Sequence, residues 1–163
     1  LTGGGQKAFV AGADISEMVN AAPAGGRAMA LLADEAFCRL ENMPQVTIAA
    51  VNGYALGGGC EIAMACDIRI ASENAKFAQP ECGLGIIPGA NGCARATALV
   101  GAAKAKELVM LSDPAHPLTG KEAYDLGLLN WFVVGDAELE SAAAEANSDS
   151  ISTRCCASRS DVT

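Results

Sequence analysis

An apolar run that ends in a turn and three consecutive glycines constrains this chain more than any other part of its sequence. Residues 46–51 are typical of a buried strand, and Asn52-Gly53 ends it. Residues 57–59 are all glycine, and the residues from Glu61 to Cys66 predict a helix. This order of strand, bare loop and helix leaves backbone N–H groups free to meet negative charge, with the Glu61 carboxylate beside them. It predicts an oxyanion site with an acid–base residue attached.

The three glycines also have a purely structural interpretation. Glycines between a strand and a helix can serve only to allow a turn or close packing. A glycine-rich loop is a weak motif by itself, so both interpretations stay open at this point.

Four blocks of the sequence resemble the enoyl-CoA hydratase (crotonase) family. Three are specific, and the fourth is weaker and discontinuous. The first three span residues 7–18, 48–71 and 75–89, and the fourth runs through Gly101, 104–111 and 123–130. Together the blocks follow the family's order and cover most of the chain before residue 147.

Strands alternate with helices along the chain, which predicts an α/β fold. The patterns predict helices over residues 27–42, 61–66, 94–100, 102–111 and 121–126. They predict strands over residues 8–10, 46–51, 67–71, 76–78 and 128–134. The resemblance implies a crotonase-like spiral of ββα units.

The resemblance begins inside the family's domain, so we expect residues 1–147 to form a partial crotonase-like domain, truncated at both ends. Residues 148–163 are rich in Ser and Arg and show no apolar periodicity. Residues 144–147, just before them, still predict a helix. Residues 148–163 resemble none of the family's C-terminal helices, and we expect an aberrant, disordered tail there.

The net charge of −8 argues against a nucleic-acid partner or an anionic membrane surface. No apolar run is long enough to span a membrane and no signal peptide is visible, so we expect a cytoplasmic protein. Half of the residues (51%) are hydrophobic but only 4% are aromatic, which predicts a core of Ala, Val, Leu and Ile.

The cysteines and the histidine exclude several kinds of site. Four of the seven cysteines lie in apolar or glycine-rich segments, which favours buried free thiols in a reducing compartment: Cys60, Cys66, Cys82 and Cys93. The single histidine, His116, argues against a zinc site or a histidine-based triad. We expect no metal and no cofactor, because CoA is part of the substrate that the resemblance implies.

By resemblance, Glu61 and Glu81 match the family's two catalytic glutamates. Without the resemblance, the residues around Glu81 favour a solvated loop glutamate over a catalytic one, although Pro80 restricts the chain before it. Addition of water to a C=C bond needs one group to activate water and one to move a proton at the α-carbon. Two carboxyl groups can do both, with their surroundings setting the protonation of each.

The resemblance also implies that the backbone N–H groups of Ala13 and Gly58 stabilise the enolate oxygen of a thioester. Residues around these two positions are expected to bind the CoA thioester: Lys7, Ala11, Ala13, Asp14, Ile15, Ser16, Gly57 and Gly58. Without the resemblance, residues 11–13 are equally consistent with a plain tight turn, and a local cap or turn former is favoured over a catalytic role for Asp14.

Residues 88–95 depart from the family's pattern, since Asn91, Cys93 and Ala94 replace Gly, Thr and Gln. Asn91 tolerates a positive φ better than most residues, so we expect the turn to persist. The loss of Thr and Gln removes side-chain hydrogen bonds near the site.

The sequence therefore predicts an enzyme that reversibly hydrates short-chain 2-enoyl-CoA to 3-hydroxyacyl-CoA. An enoyl-CoA isomerase, or the hydratase part of a multifunctional enzyme, is the alternative within the family. An inactive acyl-CoA-binding fragment is the alternative from another class. Full-length relatives are expected to be homo-oligomers, either trimers or dimers of trimers.

Overall fold

The computed structural model describes residues 1–19 and 21–152, and the side chains of residues 149–152 are not described. The strands are β1 (Ala8–Val10), β2 (Ile48–Val51), β3 (Tyr54–Leu56), β4 (Ile68–Ser72), β5 (Lys76–Ala78), β6 (Leu118–Thr119) and β7 (Trp131–Val133). The helices are α1 (Ile15–Val19), α2 (Pro23–Glu41), α3 (Gly58–Ala65), α4 (Gly92–Met110), α5 (Gly120–Asp125) and α6 (Asp136–Ser152). A 3₁₀ helix spans Pro80–Leu84.

The strands form two sheets that the chain visits alternately. One sheet has the order β1-β3-β5-β6, parallel except for the β5–β6 pair. The other has the order β2-β4-β7 and is parallel throughout. β2 and β3 precede α3, and β4 and β5 precede the 3₁₀ helix and α4, so pairs of strands followed by a helix repeat as the resemblance implies.

The core lies on both faces of β2. Ala49 and Val51 are fully buried in a cluster that surrounds α3 and includes Phe77 of β5. Ala50 points to the opposite face and packs with Ile70 in a smaller cluster beneath α6. Because side chains alternate across a strand, this pattern agrees with a strand buried on both faces.

Every predicted helix and strand is present, with shifted ends. α2 begins at Pro23, which occupies a first-turn position that tolerates proline. α4 contains a break at Gly101 (φ 77°, ψ 161°), which separates the two helices predicted there. The patterns missed α1, β3, β6 and the 3₁₀ helix, which are all five residues long or shorter.

The glycine triplet was predicted as a bare loop, and this is wrong in part. α3 begins at Gly58, so two of the three glycines form its first turn. A Cβ on Gly59 would lie 1.8 Å from the Val10 carbonyl oxygen, which no side chain allows. Close packing of α3 on β1 therefore requires glycine at this position.

The expected disordered tail needs a correction at its start. α6 runs through Ser152 and so includes residues 148–152, because extending an existing helix costs far less than starting one. Residues 153–163, including the Cys155-Cys156 pair, lie outside the described residues, and the expectation for them stays a prediction.

Five cysteines in the described ranges are free, but only two are buried as expected. Cys60 and Cys66 are buried, whereas Cys82 and Cys93 are exposed. The prediction failed for these two because each lies in an element that buries only one side. In the 3₁₀ helix, for example, only Glu81 is buried. Within residues 1–19 and 21–152, no helix has the combined length and apolar character needed to cross a membrane.

Arg69 connects β4 to the segment before β7. Its side chain is buried and donates to the carbonyl oxygens of Cys66 and Leu128, the latter at 2.8 Å. Its Nη2 and its backbone N–H both donate to Oδ1 of Asn130, at 3.3 and 2.9 Å. Removal of the guanidinium would leave buried acceptors without donors, which costs free energy.

We therefore expect Arg69→Met to lower the free energy of unfolding by about 2–3 kcal/mol, measured by urea denaturation. Arg39→Met is the matched control, because Arg39 is exposed and its ion-pair partner among the described residues is the exposed Glu35. That control should change stability by less than about 0.5 kcal/mol. Equal effects of the two substitutions would contradict this role for Arg69.

Candidate active site

Three neighbouring parallel strands end at the same edge of one sheet. The segment from residue 11 to residue 14 follows β1, Gly57 and Gly58 follow β3, and Glu81 follows β5 shortly after Ala78. The Gly57 N–H donates to the Ala78 carbonyl oxygen at 2.9 Å, which joins two of these ends. Carboxyl ends of parallel strands are a common place for ligand sites.

The backbone amides of Ala13 and Gly58 lie close together at this edge. A Cβ built on Gly58 would lie 4.0 Å from the Ala13 nitrogen. Gly58 is the first residue of α3, so its N–H has no acceptor within the helix. In the described part of the chain, neither amide donates a hydrogen bond. The two N–H groups are therefore available to an oxyanion.

Glu81 is buried beside Gly57, not solvated. It is 8% exposed, and its Oε2 makes no hydrogen bond within residues 1–19 and 21–152. Gly57 has a φ of 53°, and a Cβ there would come within 2.8 Å of Oε1 of Glu81. The interpretation of Glu81 as a solvated loop residue is therefore wrong, because the chain folds it back against the start of α3.

Glu61 is held by two backbone amides from a distant segment. It is 3% exposed, and its Oε1 accepts hydrogen bonds from the N–H groups of Ala90 and Gly92, at 2.9 and 2.8 Å. Asn91 lies between them in the left-handed conformation (φ 66°), as its tolerance of positive φ predicted. Such a turn forms an anion-binding concavity from main-chain N–H groups.

Both glutamates have perturbed protonation equilibria. Burial raises the pKa of Glu61, although the hydrogen bonds from Gly92 and Ala90 and the charge of Arg95 oppose this. Burial also raises the pKa of Glu81, and the nearby Glu61 charge raises it further. Two main-chain hydrogen bonds, from Gly92 and Ala90, favour the ionised form of Glu61, whereas a single main-chain hydrogen bond, from its own N–H, favours ionised Glu81. Such a pair of carboxyl groups suits acid–base chemistry.

Cys60 and Gln79 lie behind the two glutamates. Burial raises the pKa of the Cys60 thiol to about 12, so it stays protonated at neutral pH and is not a thiolate nucleophile. Gln79 is fully buried, and neither atom of its side-chain amide makes a hydrogen bond to the described residues. The sequence did not single out Gln79 as part of this polar interior.

The remaining candidate residues occupy different places. Ala11, Ile15 and Ser16 are exposed around Ala13, on the loop that follows β1 and in α1. The Asp14 carboxylate accepts hydrogen bonds from the Ser16 N–H and Oγ, at 2.9 and 2.7 Å, so it caps α1 locally as predicted. Lys7 is exposed just before β1, at the opposite end of that strand from Ala13.

A cavity of about 500 Å³ lies elsewhere, between β2 and α6. Its lining includes Ile48, Ala50, Leu139 and Ala143. It contains neither catalytic candidate and opens beside the other sheet. The chemistry of the side chains therefore favours the edge with the two glutamates as the candidate active site over this cavity.

Sequence reasoning missed the groups that hold Glu61. These are the amides of Ala90 and Gly92, together with Arg95, which donates to the Ala90 carbonyl oxygen and to Glu41. A signal existed in residues 88–95, where the sequence departs from the family's pattern at three positions. Nothing in the sequence singled out Glu41, because it ends a long helix without a motif.

Comparison with known proteins shows the family of this chain. The profile of the enoyl-CoA hydratase/isomerase family matches residues 1–154. The short-chain-enoyl-CoA hydratase of Clostridium acetobutylicum is 53% identical over 145 residues, covering 89% of this chain and 54% of that protein. The crotonyl-CoA hydratase of Syntrophomonas wolfei is 50% identical over 130 residues, covering 80% of this chain and 49% of that protein.

Solved structures share the fold. An enoyl-CoA hydratase from Bacillus anthracis superimposes with a TM-score of 0.86 and 40% identity, covering 93% of this chain and 57% of that one. The chain spans about half the length of the curated relatives it matches. The expected crotonase-like α/β fold is thus confirmed, and the chain belongs to the enoyl-CoA hydratase/isomerase family.

Proposed function

We propose that the full-length protein reversibly hydrates short-chain 2-enoyl-CoA to 3-hydroxyacyl-CoA. The observation that carries the proposal is the meeting of four groups at one sheet edge. Two are the buried carboxyl groups of Glu61 and Glu81, both with raised pKa values. The other two are the free backbone N–H groups of Ala13 and Gly58.

The surroundings of the two carboxyl groups assign them different roles in this proposal. Ionised Glu61, held by two N–H donors, takes a proton from water as the water oxygen bonds to the β-carbon. Neutral Glu81 gives its proton to the α-carbon. In the reverse reaction, Glu81 takes the proton from the α-carbon. Glu61 returns its proton to the departing hydroxyl group, which leaves as water.

Negative charge develops on the thioester oxygen between these two events. The N–H groups of Ala13 and Gly58 would donate to that oxygen, where each donor is typically worth about 10²–10³ in rate. The exposed segment around Ala11, Ile15 and Ser16 would contact the CoA part of the substrate. The reaction moves water and protons only, so the proposal needs no cofactor beyond the CoA of the substrate.

Names of relatives support the choice of substrate. The Clostridium protein is named for short-chain enoyl-CoA, and the Syntrophomonas protein for crotonyl-CoA. Two buried acid–base carboxyl groups favour hydration over isomerisation, since moving a double bond needs only one group to shuttle a proton. A cytoplasmic homo-oligomer, as a trimer or a dimer of trimers, stays a prediction.

Glu61→Gln and Glu81→Gln in the full-length protein should each lower kcat for crotonyl-CoA hydration by about 10²–10⁴. Either substitution removes one proton-transfer group while keeping the shape of the side chain. Loss of absorbance at the enoyl band measures the rate. Glu35→Gln, on the exposed face of α2, is the control and should retain the wild-type rate.

Near-normal turnover in either of the two glutamate variants would contradict the proposed mechanism. Binding of CoA by a wild-type protein that hydrates nothing would instead indicate an acyl-CoA-binding fragment. Migration of the double bond without hydration would indicate an isomerase.

Gly58→Pro tests the oxyanion site. Gly58 is the first residue of α3, a position that accepts proline, so the change deletes the N–H while the helix can remain. We expect kcat to fall by at least about 10², the scale for one lost donor. Circular dichroism checks the fold.

Gly58→Ala is the matched control, because it keeps the N–H. Its Cβ would meet no protein atom closer than 4.0 Å, so the protein tolerates it, but it would crowd the thioester. We expect a smaller loss that grows with the size of the acyl group. A folded Gly58→Pro protein with wild-type turnover would show that the glycines serve packing alone.

The raised pKa of Glu81 also predicts a pH-dependent cost in stability. The folded protein binds the carboxyl proton of Glu81 more tightly than the unfolded chain does. The stability that comes from this tighter binding is fully present below the ordinary glutamate pKa. This stability is lost as the pH rises through the raised pKa of Glu81 in the folded protein. Glu81→Gln removes this titration, so its stability relative to wild type should increase between about pH 5 and about pH 8.

Urea denaturation at both pH values measures this difference. Glu107→Gln, an exposed residue paired with Lys104, is the control and should show a nearly constant difference. A pH-independent difference for Glu81→Gln would mean that burial does not perturb its titration.

A further inference from the structure

Arg95 connects the end of α2 to the segment that holds Glu61. It lies in the first turns of α4 and is only 6% exposed. Its Nη1 donates to the carbonyl oxygen of Ala90. Its Nε and Nη2 donate to the two carboxylate oxygens of Glu41, at 3.2 and 2.8 Å. Glu41 is the last residue of α2 and lies 54 positions away in the chain.

The Ala90 carbonyl oxygen has a particular place in this arrangement. It lies between the two amides, of Ala90 and Gly92, that donate to the same oxygen of Glu61. Holding this carbonyl fixes the turn at Asn91, whose left-handed backbone aims both amides at the carboxylate. The guanidinium therefore acts on Glu61 without touching it.

We propose that Arg95 is a positioning residue for hydration, which fixes the Ala90–Gly92 turn and through it the reacting carboxylate of Glu61. Glu41 fixes the guanidinium in turn, so the end of α2 sets the geometry of the acid–base pair. This proposal rests on the function proposed above.

An arginine suits this position better than a lysine. The planar guanidinium presents donors in a rigid fork, so it can bind a carboxylate with two hydrogen bonds and still donate to a carbonyl. A lysine ammonium keeps the charge but cannot reproduce that geometry. Arg95 is buried with this one carboxylate partner, so the bonds to Glu41 and Ala90 are what offset its loss of hydration.

Charged and titratable groups from several elements face Glu61. Asp34 on α2 raises its pKa, and Arg95 on α4 lowers it. Glu81 in the 3₁₀ helix, Cys60 on α3 and Cys93 on α4 also interact with Glu61 electrostatically. Among these groups, Arg95 is the cation.

The polar residues of α2 that take part share one face. Asp34, Cys38 and Glu41 follow the i, i+4, i+7 spacing, and Cys38 Sγ lies 3.7 Å from Asp34 Oδ1 and 3.8 Å from Arg95 Nη2. Loss of Arg95 would remove the positive charge that lies beside the acidic groups of this face. The pKa of Glu61 should then rise further, because a positive neighbour that favours its ionised form is gone.

The test compares Arg95→Met, Arg95→Lys and Glu41→Gln in the full-length protein. We expect Arg95→Met to lower kcat for crotonyl-CoA about tenfold to a hundredfold, the scale for a misplaced catalytic group. KM should change less than about twofold, since Arg95 makes no contact in the proposed substrate site. The acid limb of the pH–rate profile should move to higher pH.

The two conservative variants separate charge from geometry. Arg95→Lys should return the acid limb towards its wild-type position, while kcat recovers only in part. Glu41→Gln should lower kcat in the same direction but less than Arg95→Met. Arg39→Met, on the exposed face of α2, is the control and should leave both kcat and the profile unchanged.

A carboxyl-carbon NMR titration of Glu61, with the signal identified by Glu61→Gln, gives a readout that does not need activity. Its pKa should rise in Arg95→Met. A wild-type protein that hydrates nothing would overturn the proposed function, and the titration would still decide whether Arg95 controls Glu61. A folded Arg95→Met protein with wild-type kcat and an unchanged Glu61 titration would overturn the positioning role, as would an activity loss that only follows the unfolded fraction.

Discussion

The parallel pairing of β1, β3 and β5 is the constraint on which the rest of the site depends. Their registers align Val10 with Ala55 and Leu56 with Ala78, so the three strands end at one edge of the sheet. Strands that pair in parallel place their carboxyl ends together, which short turns alone cannot achieve. Residues that are far apart in the chain thereby meet around Gly58.

Burial at that edge gives two chemically identical side chains different properties. Glu61 loses water but gains two main-chain N–H donors, which favour its ionised form. Glu81 loses water and gains one such donor in the described part of the chain, its own N–H, while the charge of Glu61 further favours its protonated form. The asymmetry of the proposed mechanism comes from these surroundings, because the two side chains themselves are the same.

Main-chain groups explain why the altered segment 88–95 still supports Glu61. Cys93 and Ala94 lack the hydrogen-bonding side chains that the family's pattern has there. The contacts to Glu61 come instead from the amides on either side of Asn91, which adopts the left-handed conformation. Substitutions of neighbouring side chains leave such contacts intact as long as the turn keeps its shape.

Local sequence patterns determined where most of the helices and strands of this protein lie. Apolar runs and helical spacing predicted the main strands and helices, and these predictions succeeded because the periodicity of a strand or helix is a local property. The oxyanion site that the glycine triplet with Glu61 predicts stays part of the proposed function. The elements that local patterns missed, such as β3 and α1, are too short to show a period.

Only the tertiary structure decided how the site is completed. Glu81 is buried because β5 pairs with β3, and Arg95 meets Glu41 because α2 and α4 both pack on α3. Neither contact leaves a local signal, since the partners are separated by tens of residues and their polar side chains could equally face solvent. Desolvation and the pKa values that follow from it depend on the packed surroundings, which a sequence pattern does not contain.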